Sequence, residues 1–275
     1  MTNARELWRI LEPLHGMIYF VPEGQQRYAA LGLDRTAGYF ASRAAALGPV
    51  SAEVVIATFY NFNPTLVHGA IPAAWEKTTP EALLAARLDA ADTALRRGLG
   101  DLVTQTGELG ALARRAAEKA CETPQGRPLF AAHAALPWPE EPLLALWWAQ
   151  TLLREYRGDG HLAALLLEGL SGIEALVVHS GSGEVTAEAL RRTRGWSTEE
   201  WSAAVDGLRV RRLVDGEGVL TEAGLELRAR VEGRTDEMAE GPYTVLDQTE
   251  RERYVELARP LSRAIVAAGL LPFKK

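Results

Sequence analysis

The sequence predicts an all-α protein whose only β-structure is a short hairpin in the C-terminal third. Three observations carry this. Ala, Leu, Glu and Arg dominate, and apolar residues recur at three- and four-residue spacing instead of alternating. Helix-start signals such as Thr79-Pro80-Glu81 and Ser197-x-x-Glu200 recur along the chain. One Gly-rich turn, Asp215-Gly216-Glu217-Gly218, precedes the short apolar pair Val219-Leu220.

A first helix is expected from Ala4 to Val21, with Leu7, Ile10, Leu11, Leu14, Ile18 and Val21 as its apolar stripe and Pro22 and Gly24 as its stop. Shorter helices should follow around Tyr28, over Tyr39 to Leu47, Ser51 to Tyr60 and Pro64 to Trp75. Thr79 should cap a longer helix, with Pro80 at its first position, that runs to about Arg97. The Pro-rich stretch from Thr123 to Pro142 reads as the connection between two halves. A helix from Glu140 to Arg157, apolar on nearly all sides, reads as a buried central helix broken by Gly158-Asp159-Gly160. Asp159 would then cap the next helix, His161 to His179, with His161 in its first turn. This divides the chain into a helical domain over 1–135, a central helix and winged segment over 140–236, and a C-terminal helix over 247–268. The last carries Val255, Leu257, Ala258, Leu261, Ile265 and Val266 as a dimerisation stripe.

With 47% hydrophobic and 24% charged residues, the 275-residue chain has globular rather than disordered composition. A single cysteine, Cys121, excludes an internal disulfide, fits a reducing compartment and reads as a small core residue. The start, MTNARELWRILEPLHG, lacks a signal-peptide pattern, and apolar runs such as LLALWWAQTLL are too short to span a bilayer, so a cytoplasmic protein is expected. The net charge of −6 argues against a broadly basic nucleic-acid surface, so DNA contact would need a local patch.

The segment from Gly181 to Asp236 supplies such a patch. A short helix from Glu184 to Thr193, a turn at Gly195 and a second helix from Ser197 to Val214 make a helix-turn-helix, and the Gly-rich turn makes its wing. Arg191, Arg192 and Arg194 with Arg209, Arg211 and Arg212 are its DNA-binding candidates. Against them stand Glu199, Glu200 and Asp206 on the second helix and Asp215 and Glu217 in the wing. The run RRLVDGEGVLTEAGLELRARVEGRTD resembles the MarR-type winged helix. Arg212-Leu213-Val214 stands where that family has its "GLV", and Leu220-Thr221-Glu222-Ala223-Gly224 where it has "LTxxG". The resemblance covers about one fifth of the chain.

Three clusters in the helical part look like a small-molecule pocket. Glu12, His15 and Tyr19 share a helix face, as a ligand-facing stripe does and as a partly buried histidine satisfied by Glu12 or Tyr19 also does. Tyr39, Phe40, Arg43, Phe59, Tyr60, Asn61, Phe62 and Asn63 mix aromatic and polar groups, as a pocket lining does and as a core also can. Arg154, Glu155, Arg157, Asp159 and His161 form a dense charged set beside a very apolar helix. The ligand-binding candidates are His15, Tyr19, Arg43, Phe59, Tyr60, Phe62, Arg154, Arg157, Asp159 and His161, converging on one cavity. Arg154 or Arg157 would hold a ligand anion unless Arg154 pairs with Glu12 or Glu155. The segments LWRILEPLHGMIYFVPE, LGPVSAEVVIATFYNFNP and REYRGDGHLAAL, followed by the winged helix, together resemble an actinobacterial helix-turn-helix family of unknown function. That resemblance implies the winged helix and no activity.

No motif specifies a metal, a cofactor or a catalytic residue: HExxH, CxxC, GxSxG, GxGxxG and the P-loop do not occur. Two functions fit. One is a ligand-responsive winged-helix regulator, dimeric, with a small molecule, anionic in the pocket reading, and DNA as partners and no membrane. The other is a small-molecule binding protein or enzyme, in specialised metabolism or self-resistance, that uses the winged helix as a scaffold.

Overall fold

Capping chemistry sets most of the helix boundaries in the computed structural model, which describes residues 2–183 and 185–272. Fifteen α-helices lie among these residues: α1 (Ala4–Gly16), α2 (Pro22–Ala30), α3 (Arg35–Ala44), α4 (Ala52–Phe59), α5 (Pro64–His68), α6 (Ala73–Lys77), α7 (Pro80–Leu99), α8 (Gly107–Ala120), α9 (Pro128–Ala134), α10 (Pro142–Leu167), α11 (Gly172–Ser180), α12 (Ala187–Arg194), α13 (Thr198–Val210), α14 (Glu222–Glu240) and α15 (Gln248–Ala267). Thr79 accepts from Ala82 N at the start of α7, with Pro80 in its first turn. Ser197 and Glu200 close a reciprocal capping box on α13. Glu184, the expected start of the short helix, lies outside the described residues; α12 begins at Ala187, capped by Thr186.

Several boundaries differ from expectation. The first helix ends at Gly16 and passes through a 3-10 turn, and Pro22 begins α2 instead of merely stopping α1. This follows from proline's fixed φ, which suits a first helical position. Gly158-Asp159-Gly160 does not break the central helix. α10 runs through it for 26 residues, about 39 Å at 1.5 Å per residue. The glycine has a packing reason: a Cβ on Gly160 would lie 2.7 Å from the Arg127 guanidinium. Arg127 lies against bare helix backbone there and donates to the carbonyls of Tyr156 and Met238. Asp159 consequently caps no helix of its own. Its Oδ2 accepts from Phe130 N at 2.9 Å, in the first turn of α9. Cys121 is exposed at the end of α8, not in the core.

The apolar residues gather in three clusters. α1, α7, α8, α10 and α15 enclose one around Leu11, Leu146, Trp147 and Tyr254. α2 to α6 and the start of α7 enclose a second around Phe40, Val55 and Ile71. The end of α10 joins α11, α13 and α14 around Leu165, Leu208 and Val231. Of the α15 stripe expected to dimerise, Val255, Ala258, Leu261 and Ile265 are buried in the first cluster, Leu257 is half-buried against it and Val266 is exposed; Ser262 donates to the Ile10 carbonyl. The expected hairpin reduces to one antiparallel bridge, Val214 with Leu220; no strand occurs among the described residues. Asp215 holds the turn by accepting from Glu217 N and Val219 N. No single helix among the described residues is long and apolar enough to cross a membrane.

Candidate ligand cavity

A cavity of about 1110 Å³ opens where the N-terminal helices meet α10, α12 and α14. Eight of the ten candidate ligand residues line it: Tyr19, Arg43, Phe59, Phe62, Arg154, Arg157, Asp159 and His161. Segments more than a hundred residues apart in sequence therefore share one site. His15 and Tyr60 do not line it.

His15 is fully buried behind Tyr19, stacked on Trp147 with ring centroids 5.3 Å apart. The Thr151 hydroxyl donates to the Trp147 carbonyl, so it accepts from His15 Nδ1–H at 3.0 Å. His15 Nε2 then accepts the Tyr19 hydroxyl at 3.1 Å. Burial, with the charges of Arg154 and Arg87 next, holds the imidazole well below its ordinary value, so it is neutral at pH 7. His15 thus orients the Tyr19 phenol from behind.

Tyr60 ends α4 at φ 50°, ψ −53°, where Asn61 N donates back to Phe59 O at 2.5 Å. This is a γ-turn with positive φ, a strained form. Its cause lies in the contact with the helix-turn-helix. A Cβ on Gly172 would stand 2.0 Å from the Tyr60 carbonyl oxygen, so only glycine admits that approach. The Tyr60 hydroxyl donates to the Leu170 carbonyl, Trp196 Nε1 donates to Asn61 O, and Asn63 N donates to Arg194 O. Asn63 Nδ2 donates to the Glu200 carboxylate in the first turn of α13. One short segment, Phe59 to Asn63, is both cavity wall and the seat of α12 and α13.

The arginines differ in their partners. Arg154 pairs with Glu12 at 3.0 Å and Glu155 at 2.9 Å. Arg157 pairs with Asp236 at 3.0 Å and Glu232 at 3.5 Å. Both therefore join α10 to neighbouring elements instead of standing free for a ligand. Burial raises the Glu155 carboxyl, but Arg154, Arg43, His133 and Arg87 outweigh it and hold it below the ordinary value. Burial pushes Asp159 up to about 6. His161 lies in mid-helix, 3.0 Å from the Thr235 hydroxyl, and is pulled down by burial.

Arg87 was not legible as a site residue, yet it lines the cavity from the apolar face of α7, buried between Leu83 and Ala91. Its position in that stripe is the signal that could have found it. Arg194, a DNA candidate, turns inward and lies over Phe62 at 4.7 Å, pulled below its ordinary value by burial. Arg211 donates to the Glu168 and Gly169 carbonyls and pairs with Glu174. Arg209 pairs with Asp206, Arg192 lies 3.8 Å from Glu188, and Arg191 donates to Trp196 O. Arg212 is exposed. Among the described residues, no group of three His, Cys, Asp or Glu is placed to hold a metal ion.

The sequence model of a helix-turn-helix family matches residues 4–272. No curated protein and no solved structure matches the chain.

Proposed function

The chain belongs to a helix-turn-helix family, and on that premise we propose that it is a ligand-responsive transcriptional regulator. Family membership points to DNA binding; the cavity supports the response. The observation that carries the reading is the position of Arg194. It is the last residue of α12, yet its side chain lines the cavity, so the helix that precedes α13 is itself part of the ligand site. A ligand that prefers one placement of Arg194 shifts α12 and α13 with it, which is the differential contact a two-state response requires. The segment Phe59 to Asn63 supports a second link, because it touches both the cavity and Glu200.

DNA contact in this reading falls to Arg191, Arg192, Arg209 and Arg212, with Arg194 and Arg211 engaged elsewhere. The test is a mobility shift at low salt with DNA from upstream of the protein's own gene. Wild type should shift it, and Arg191→Ala with Arg192→Ala should weaken binding and flatten its salt dependence. No shift by wild type at low salt sinks the regulator.

One observation favours a second reading. The exposed residues of α13 include Glu199 and Asp206, and Val210 is 83% exposed, which is an acidic and apolar surface rather than a phosphate-binding one. In that reading the chain is a small-molecule binding protein or enzyme, and the helix-turn-helix serves to close its cavity.

A further inference from the structure

We propose that the cavity receives a small aromatic anion, with its acid group held among Arg43, Arg87 and Arg194. The proposal rests on the reading above for its regulatory consequence; the binding it predicts stands by itself.

The chain carries a net charge of −6, yet seven arginines and only four carboxylates line the cavity. Each of the four is already engaged. Glu12 and Glu155 pair with Arg154, Glu232 pairs with Arg157, and Asp159 accepts from Phe130 N. Arg9 and Arg35 are exposed and can be neutralised by solvent. That leaves Arg43, Arg87 and Arg194. Among the described residues, no carboxylate lies within 4.0 Å of any of them. Glu155 acts on Arg43 and Arg87 only from beyond 4.0 Å and is itself bonded to Arg154, so the three cations outnumber the charge left to balance them, which describes a receptor for an anion.

Arg43 donates to the Tyr39 hydroxyl at 2.8 Å, Arg87 to the Tyr19 hydroxyl at 3.3 Å and Arg194 to Thr193 at 3.0 Å. These acceptors are neutral. Arg43 Nε and Arg194 Nε are buried with no acceptor. A guanidinium with free N–H groups matches the two oxygens of a carboxylate, sulfonate or phosphate.

Arg43 lies 4.2 Å over the Phe59 ring, and the guanidinium carbons of Arg43, Arg87 and Arg154 all lie within 5.4 Å of the Tyr19 ring centroid. Stacking on rings holds these cations in place without neutralising them. Phe40 and Phe62 extend the aromatic surface beside them. A ligand with a flat apolar body and one acid group satisfies both surfaces.

The test uses two fluorescent probes that share one ring system. 8-Anilinonaphthalene-1-sulfonate carries an acid group, and N-phenyl-1-naphthylamine does not. Wild type should bind the sulfonate at least about tenfold more tightly. Arg43→Met and Arg87→Met should each remove most of that preference and leave the neutral probe within about twofold, with far-ultraviolet circular dichroism unchanged. Arg194→Met, at the end of a short helix, is read alongside, so misfolding of one variant leaves the test intact. Equal affinities for the two probes on wild type overturn the proposal, as does a sulfonate preference that survives all three substitutions. Competition then identifies the acid: whichever of 2-naphthoate and 2-naphthyl phosphate displaces the probe at lower concentration names it. Displacement by neutral 2-naphthamide as readily as by either overturns the proposal. The mobility shift is run on the same preparation. A DNA shift without anion preference removes only the anion, and anion preference without a shift removes only the regulator.

Discussion

The α10 wall of the cavity and the wall made by α3, α7 and α12 are both built from arginines, yet only in the first are the arginines bonded to carboxylates. Arg154 and Arg157 each face two carboxylates. Arg43, Arg87 and Arg194 face phenols, rings and a threonine. The difference teaches that a cation's role follows from what neutralises it. A paired guanidinium is structural cement, and its loss strands its partners. An unpaired one is strained without a ligand, and its loss relieves the apo protein while removing a binding function.

The largest effect should come from breaking the paired wall. Glu155 is buried and sits among Arg154, Arg43 and Arg87. Glu155→Gln keeps the shape and removes the charge, leaving a cluster of cations with one fewer anion. A loss of about 3 kcal/mol or more in denaturant unfolding is expected for a broken buried pair. A loss below about 1 kcal/mol would mean that pairing does not hold this wall together.

Asp159, on the same wall, gives a pH-dependent effect of slightly smaller size. Its folded pKa of about 6 lies above the ordinary 3.8, so the folded protein holds this proton more tightly than the unfolded chain does. The stability it contributes is full below pH 3.8 and is lost as pH rises through 6, on the order of 3 kcal/mol by pH 7. The buried imidazoles of His15, His133 and His161 run the other way. Their folded values are lowered, so their contribution is full above 6.5 and lost as pH falls below it. Asp159→Asn keeps an acceptor for Phe130 N and leaves the histidines alone. The difference between variant and wild type should be small at pH 4 and favour the variant at pH 7.5. A flat difference would place the Asp159 carboxylate in a solvated setting.

How much of this was readable in the chain can be judged from the arginines. The dense set REYRGDGH drew attention and does line the cavity, but density also meant that Arg154 and Glu155 could satisfy each other. Arg87 sits in the apolar stripe of α7, outside the three clusters that the sequence singles out. Arg43 was legible because aromatic residues surround it in sequence. Helix starts were legible at Thr79 and Ser197 because capping is local. The continuity of α10 through Gly158 and Gly160 was not, because the compensating contact comes from Arg127, 33 residues before Gly160. The inward turn of Arg194 was hidden for the same reason: Phe62 and Asn63 reach it from the other end of the fold.

A smaller effect tests the place where the unpaired wall meets α11. Gly172→Ala would bring a methyl 2.0 Å from the Tyr60 carbonyl oxygen, and the backbone must move to admit it. A loss of about 2 kcal/mol is expected, as for other overpacked contacts. Because Phe59 and Phe62 flank the displaced turn, affinity for the sulfonate probe should fall as well. Wild-type stability and wild-type probe affinity in the variant would show that α11 and the Phe59–Asn63 segment are not locked together.

The smallest change in stability is the most informative, because it separates the two walls with one kind of substitution. Methionine roughly keeps the length of an arginine stem while removing its charge. At Arg154 the exchange strands Glu155, which is 7% exposed at its side chain, so the folded protein should lose about 2–3 kcal/mol. At Arg43 it strands no carboxylate, since its bonded acceptor is the Tyr39 hydroxyl, which can turn to another partner. It also lowers the repulsion that Arg154 and Arg87 feel. Against this stands the lost stacking on Phe59, about 0.5–2 kcal/mol for a cation over a ring. The exchange also removes the longer-range attraction between Arg43 and Glu155. These terms oppose the relieved repulsion, and the net for Arg43→Met should stay within about 1 kcal/mol of zero in urea unfolding without ligand. If Arg43→Met instead costs as much as Arg154→Met, the attraction of Glu155 holds this wall as well. Its arginines would then be structural in the same sense as those of α10.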